Sequence, residues 1–281
     1  MALRINYNLA SSSAQRGLGA SQDAYAKQAT RLSTGLRINT AADDAAGMAV
    51  SEKLKNQVRG LNQAQRNAQD GISLIQTAEG ALTETHSLLA RMRELAVQSS
   101  NDTLSESDRA NLQVEFTALY AEVDRISSTT AFNGIYLLNN ADVATGMTLQ
   151  IGANNGNTFT LTVGGAQMST LNSNFDSAAA TLTTVGYQSS ASAVISAVDA
   201  AVNAVSTARA GLGALQNRLE SVGRSLAVAS ENTAAANSRV ADADIASSMS
   251  ELVRAQILQQ AGISVLAQAN QAPSLVLQLL R

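Results

Sequence analysis

From Val198 to Val240 apolar positions recur at heptad spacing without a break. Val198, Val205, Leu212, Leu219, Leu226, Thr233 and Val240 fall at strict sevens, and Ala201, Ala208, Leu215, Val222, Ala229 and Ala236 take the positions between them. With Arg209, Arg218, Glu220, Arg224, Glu231 and Arg239 off the stripe, this pattern predicts one very long helix, over about 194–240, packed in coiled-coil fashion. At 1.5 Å per residue the periodic stretch would be roughly 65 Å long, more than a compact globule can cover. Its partner must be another long helix, in this chain or in a neighbouring copy.

A matching stripe precedes it. Leu61, Ala68, Ile75, Leu82, Leu89 and Ala96 recur at sevens, with Ala64, Gly71, Ala78, Thr85 and Met92 between them, which predicts a second rod over about 51–98. Gly71 in mid-helix costs about 1 kcal/mol relative to Ala unless a close neighbour offsets it, so a tight crossing is expected there. His86, the one histidine, reads as a solvated helix-face residue. Asn101-Asp102-Thr103 breaks the rod, Ser105 to Asp108 resembles a capping box, and Leu112, Phe116, Leu119, Val123 and Ile126 continue the apolar spacing. A third helix over about 105–128, folded back as an antiparallel hairpin, is predicted.

After Asn133-Gly134 the period drops to two. Leu149 and Ile151, then Phe159, Leu161 and Val163, alternate with polar residues around Asn154-Asn155-Gly156-Asn157, predicting one small β-hairpin at about 147–164. Residues 166–192, rich in Ser, Thr, Ala and Asn, read as loop. At the chain ends the signal is weaker. Leu9, Leu18, Leu32 and Leu36 stand among Ala, Ser, Gln and Asn, too little apolar area to order without a partner. Beyond Val240, Ile245, Met249, Leu252, Val253, Ile257, Val265 and Leu266 predict an amphipathic helix ending near Asn270, ahead of Pro273. The apolar tail Leu275 to Arg281 is too short to span a membrane; burial against the N-terminal segment or another subunit suits it better. The carboxylate pairs Asp43-Asp44 and Asp242/Asp244 read as helix caps and not as metal ligands.

Composition narrows the fold class. Aromatics make up 3% of 281 residues, Trp and Cys are absent, and Pro273 is the one proline. Small side chains need long contact lines to bury enough area, so a mainly α, long antiparallel coiled-coil-like bundle is expected, with neither disulfide nor thiolate chemistry. Residues 1–60 carry 8 Lys+Arg against 4 Asp+Glu, and the remainder is acidic. Scattered basic residues and a pI of 5.2 argue against nucleic-acid binding. Gly17-Leu18-Gly19 and Gly211-Leu212-Gly213 complete no phosphate-binding loop. With no catalytic constellation and no cofactor motif, the chain reads as structural. The first twenty residues lack a secretory apolar core, while a transit peptide stays open on composition.

Leu32 to Leu54, Gly60 to Ser73, Arg91 to Gln98, Phe132-Asn133-Gly134 and Ser264 to Gln271 closely resemble bacterial flagellin. The likeness covers roughly residues 1–140 and 190–281, and the short middle implies that large outer domains are missing. By that resemblance the chain is the repeating subunit of the flagellar filament. Residues 1–43 and 244–281 would pair as helices lining an inner tube, assembling through Leu9, Leu18, Leu32, Leu252, Ile257, Val265 and Leu266, and residues 44–243 would form the surrounding rod. The rod seam would rest on Leu61, Ile75, Leu82, Leu89, Leu212, Leu215, Leu219, Val222 and Leu226.

The resemblance also implies export through the flagellar type III apparatus without cleavage, an extracellular location, and a chaperone on the C-terminal segment. Further implied partners are the flagellar cap and hook-associated proteins, and a vertebrate Toll-like receptor meeting Arg91, Leu95 and Glu115, with Ala90 where glutamine is often found. Competing readings are a hook-filament junction protein, which would not form long tubes alone, and a membrane-active or coiled-coil effector; an enzyme ranks last.

Overall fold

The computed structural model describes residues 8–139, 146–162 and 188–279. Among them the elements are α1 (Leu9–Thr34), α2 (Ala45–Ser99), α3 (Glu106–Thr129), β1 (Ala131–Phe132), β2 (Ile135–Tyr136), β3 (Met147–Gln150), β4 (Thr158–Leu161), α4 (Gln188–Ala241) and α5 (Ile245–Leu279). The chain is mainly α. It divides into two compact units, residues 1–57 with 232–281, and residues 58–231. These boundaries fall inside α2 and α4.

In the 58–231 unit, α2 and α4 run antiparallel along the predicted stripes. Arg93 pairs with Asp199 at 2.6 Å, Arg209 with Glu79 at 3.8 Å, and Ser230 donates to Asn62 at 2.8 Å, so partners move down one helix as they move up the other. Leu61, Ile75, Leu82 and Leu89 of α2 and Leu212, Leu219 and Leu226 of α4 are buried in this seam, with Ala64, Ala68, Ala78, Ala201 and Ala208 letting the helices approach. Leu215 and Val222 lie at its edge, half-buried. Helix α3 folds back as predicted: Phe116 and Val123 enter the core beside Met92 and Leu95. Its start is a capping box, with Ser105 Oγ accepting from Asp108 N–H at 3.3 Å and Asp108 Oδ2 accepting from Ser105 N–H at 3.1 Å.

The predicted hairpin is present as β3 and β4, paired from Met147↔Leu161 to Gln150↔Thr158. The turn uses Gly156 at φ 87°, a conformation closed to most side chains. Phe159 and Leu161 point into the core, and the Arg218 guanidinium lies 4.8 Å from the centre of the Phe159 ring. The hairpin lies against Gly60 and Gly71 of α2. A Cβ at Gly71 would come within 2.5 Å of Leu149 Cδ1 and 3.2 Å of Leu219 Cδ1, and one at Gly60 within 3.1 Å of the Ala153 backbone. The close neighbour expected at Gly71 is therefore the hairpin as well as α4.

A second hairpin has no counterpart among the predicted elements. β1 and β2 pair Ala131↔Tyr136 and Phe132↔Ile135 around Asn133 (φ 50°) and Gly134 (φ 80°), the two-residue turn that Asn-Gly favours. Strands of two residues are too short to leave a period-two signal. The turn serves to redirect the chain inward, since Leu137 and Leu138 are buried immediately after β2. The expected loop at 166–192 and Val163 lie largely outside the described residues; from Gln188 onward the chain is already helical.

In the other unit, α1 ends where Gly35 (φ 71°) donates its N–H to Arg31 O at 2.9 Å. The next residues make a bridge, Leu36↔Asp242. Arg37 N–H donates to Ala241 O at 2.7 Å, Arg37 Nη2 to Val240 O at 2.7 Å, and Ala243 N–H to Gly35 O at 2.9 Å. Helix ends leave their last carbonyls open, and this bridge closes two of those of α4. Asp44 caps α2 by accepting from Gly47 N–H at 2.8 Å, and Asp244 caps α5 by accepting from Ala246 N–H at 2.9 Å. One member of each predicted pair is thus a helix cap, while Asp43 accepts from Asn39, Thr40 and Lys27 and Asp242 lies in the bridge to Leu36.

Gly71→Val should lower the melting temperature of the rod helices, because Leu149 and Leu219 block both directions of relief and overpacking costs about 1–3 kcal/mol. Thermal circular dichroism against wild type checks this, and Gly80→Ala, with nothing near its Cβ, is the control expected to melt no lower.

Candidate assembly surface

Helices α1 and α5 lie side by side and are held by an unusually weak seam. The inward positions of α5 repeat as Ser248, Leu252, Ala255, Gln259, Gly262, Leu266 and Ala269, and those of α1 as Ser11, Ala14, Leu18, Ser21, Gln28 and Leu32, each half-buried or buried at heptad spacing. Most are small or polar. No residue of α1 is fully buried, and Leu18 meets bare backbone: a Cβ at Gly262 would sit 3.4 Å from Leu18 Cδ1. At about 25 cal/mol per Å² such a contact line supplies little stabilisation.

The far end of the pair is joined chiefly through Asn8. Asn8 Oδ1 accepts from Ser11 N–H at 3.0 Å and caps α1, while Asn8 Nδ2 donates to Ala269 O at 2.8 Å. Ala269 is four residues before Pro273, whose missing N–H leaves that carbonyl without its helical partner. The sequence suggested that the helix stops near Asn270. It instead continues through Pro273 to Leu279, and Asn8 supplies the donor that proline lacks. Ser11 Oγ adds a bond to Asn270 Oδ1 at 2.8 Å.

The rest of α5 is apolar and uncovered. Ile245, Met249, Val253 and Ile257 follow one another at i+4, and Leu258, Ile263 and Val265 are exposed to either side of them, with Ile257 59% and Val265 56% exposed. Leu9 of α1 is 64% exposed. The terminal residues selected from sequence thus divide. Leu18, Leu32, Leu252 and Leu266 form the seam within the pair; Leu9, Ile257 and Val265 face outward. Met249, Val253, Leu258 and Ile263 belong with the outward set, and the i+4 ridge from Ile245 was the readable signal for it. A helix apolar on two sides is ordinarily buried on both, and an exposed stripe of this extent marks an interface.

Asp43 secures the base of the pair. Its Oδ1 lies 2.6 Å from Lys27 Nζ, and its Oδ2 accepts from Asn39 N–H, Thr40 N–H and Thr40 Oγ1, each at 3.3 Å. The hydrogen bond from Lys27, joined by the two backbone bonds, outweighs partial burial and holds the carboxyl at about 2, below its ordinary 3.8.

On the rod unit, Arg91 Nε donates to Glu115 Oε1 at 2.9 Å, and Arg91 Nη1 to Glu94 Oε2 at 2.9 Å, all three exposed. The Glu115 bond above all pushes the guanidinium up. Leu95 differs from the expectation that grouped it with them: it is 2% exposed, a core side chain beside Phe116. Its position broadens the buried stripe of α2 beyond the heptad line. His86 is half-buried and its Nδ1 is enclosed without a partner, rather than solvated.

Comparison with known proteins accords with this layout. A family model described as "Bacterial flagellin N-terminal helical region" matches residues 5–143, and one described as "Bacterial flagellin C-terminal helical region" matches residues 195–280. The chain belongs to the bacterial flagellin family. It is similar to a flagellin of Halalkalibacterium halodurans, 50% identical over 277 residues covering 99% of both chains. It is also similar to a flagellin of Bacillus subtilis, 43% identical over 99% of this chain and 100% of that one. A flagellar filament core protein of Treponema maltophilum is 43% identical over 99% of both. A solved flagellar hook-associated chain from Vibrio parahaemolyticus overlays with a TM-score of 0.60, covering 71% of this chain and all of that one, at 15% identity. That likeness concerns the fold alone. As a flagellin the protein is a structural subunit of the flagellar filament and not an enzyme, and among the described residues no helix is long and apolar enough to cross a membrane.

The terminal pair can be tested at both of its ends. The folded chain keeps Asp43 ionised down to about pH 2 while the unfolded chain protonates it near 3.8, so the stabilisation is complete above about pH 4 and is lost as pH falls toward 2. Acid titration of helicity should show Asp43→Asn less stable than wild type at neutral pH, the difference closing between pH 4 and 2. In a double-mutant cycle, Asn8→Asp keeps the cap but removes the donor; it should destabilise α5 less when Pro273→Ala restores the N–H to Ala269. Amide exchange in residues 262–272 reads the coupling, and strict additivity would contradict the assigned role.

Proposed function

We propose that the filament subunit assembles through the outward face of α5, and that the α1–α5 pair gains most of its order only when neighbouring copies cover that face. The exposed Ile245–Met249–Val253–Ile257 ridge, backed by a seam too small and polar to hold the pair firmly, carries this reading. Residues 1–43 and 244–281 then line an inner tube, and 44–243 surround it, with the α2–α4 seam as the self-sufficient part of each subunit. Binding that favours the ordered pair stabilises it by mass action, so folding of the ends and polymerisation become one equilibrium. A junction protein of the same fold would present such ends without propagating.

The same surface suits the finer roles implied by family likeness. A chaperone on the C-terminal segment would shield the ridge before type III export. Cap and hook-associated proteins would offer it related helices at the two ends of the extracellular filament. Arg91 and Glu115, held together on the exposed side of α2 and α3, are the groups a Toll-like receptor could reach, with Leu95 setting their spacing from inside.

Seeded polymerisation of purified monomer, followed by electron microscopy and sedimentation, tests the assembly reading. Ile257→Asp with Val265→Asp should raise the critical concentration by well over tenfold, since each buried aliphatic side chain is worth about 1.5–3 kcal/mol, while the thermal transition of the rod stays unchanged. Long tubes forming from the double variant at the wild-type concentration would defeat the proposal.

A further inference from the structure

At the joint between the end of α2 and the start of α3, Leu95, Ser99, Arg109, Leu112, Gln113 and Phe116 line a small, partly open cavity of about 10 Å³. Three of these residues carry an enclosed polar atom without a hydrogen-bond partner: Ser99 Oγ, Arg109 Nε and Gln113 Oε1. The other ends of two of them are engaged. Arg109 Nη2 donates to Asn101 O at 3.1 Å, and Gln113 Nε2 donates to Thr117 Oγ1 at 3.0 Å. Arg109 is a charged side chain only 10% exposed, and an enclosed donor or acceptor left unpaired is costly.

We propose that this is a binding site for one neutral water molecule, which accepts from Arg109 Nε–H and donates to Gln113 Oε1 and Ser99 Oγ. Size and chemistry agree on the occupant. A cavity of roughly 10–15 Å³ on this measure admits one water, and a buried water ordinarily makes two to four hydrogen bonds. A cation would meet the fixed charge of Arg109, and an anion would meet the lone pairs of Gln113 Oε1. Water alone can accept from one wall and donate to the other. It thereby ties the last residue of α2 to two successive turns of α3, across the Ser100–Ser105 link, and completes the polar satisfaction of an otherwise apolar joint.

The test is oxygen-17 relaxation dispersion on the full-chain monomer, with a high-resolution crystal structure of the same protein. Wild type should hold one long-lived water more than Gln113→Leu and one more than Ser99→Ala, each variant keeping wild-type helicity. Density should lie within about 3.2 Å of all three atoms. Equal counts of long-lived water in wild type and both variants would overturn the site. If the variants fail to fold, the wild-type crystal decides alone: a direct Arg109 Nε–H to Gln113 Oε1 bond with the cavity closed refutes the proposal.

Discussion

A helix with apolar residues on two faces needs two neighbours, and α5 has one. Its inner stripe, Leu252, Ala255, Gly262 and Leu266, is matched by α1, while Ile245, Met249, Val253 and Ile257 are left to water. Surface of this kind is stable only when something removes it from solvent. In the assembly proposed above, that something would be other copies. The sparse seam of the pair is part of the same arrangement: a terminal pair with a strong core of its own would gain less from assembly.

The rod unit shows the contrasting solution. There α2 and α4 cover each other along their heptads, α3 adds Phe116 and Val123, and the two hairpin segments contribute Leu137, Leu138, Phe159 and Leu161 to the same core. Few large side chains are used. Alanines and Gly71 bring backbones near enough that Leu and Val fill the remaining space, which is how a chain almost without aromatics reaches interior packing.

Local periodic features were legible before the fold. The heptads of α2 and α4, the Ser105–Asp108 box, the carboxylate caps and the tight approach at Gly71 all depend on residues within a few positions of one another, or on a repeat sustained over many turns. The features that escaped depend on distant pairing. The helix passes Pro273 because Asn8, 261 residues away from Ala269, replaces a hydrogen bond. The β1–β2 strands are two residues long and carry no period.

Asn8 gives the terminal pair a further property. One side chain starts the first helix and completes the last, and the Leu36–Asp242 bridge ties the same two strands of chain at the opposite end. Damage to either extremity is therefore felt by the other: a subunit clipped in its first turn loses the support of α5, and one shortened at its C-terminus leaves α1 with nothing to lie against. In the assembly proposed above, a copy that has lost either end would bring only half of this pair to its neighbours.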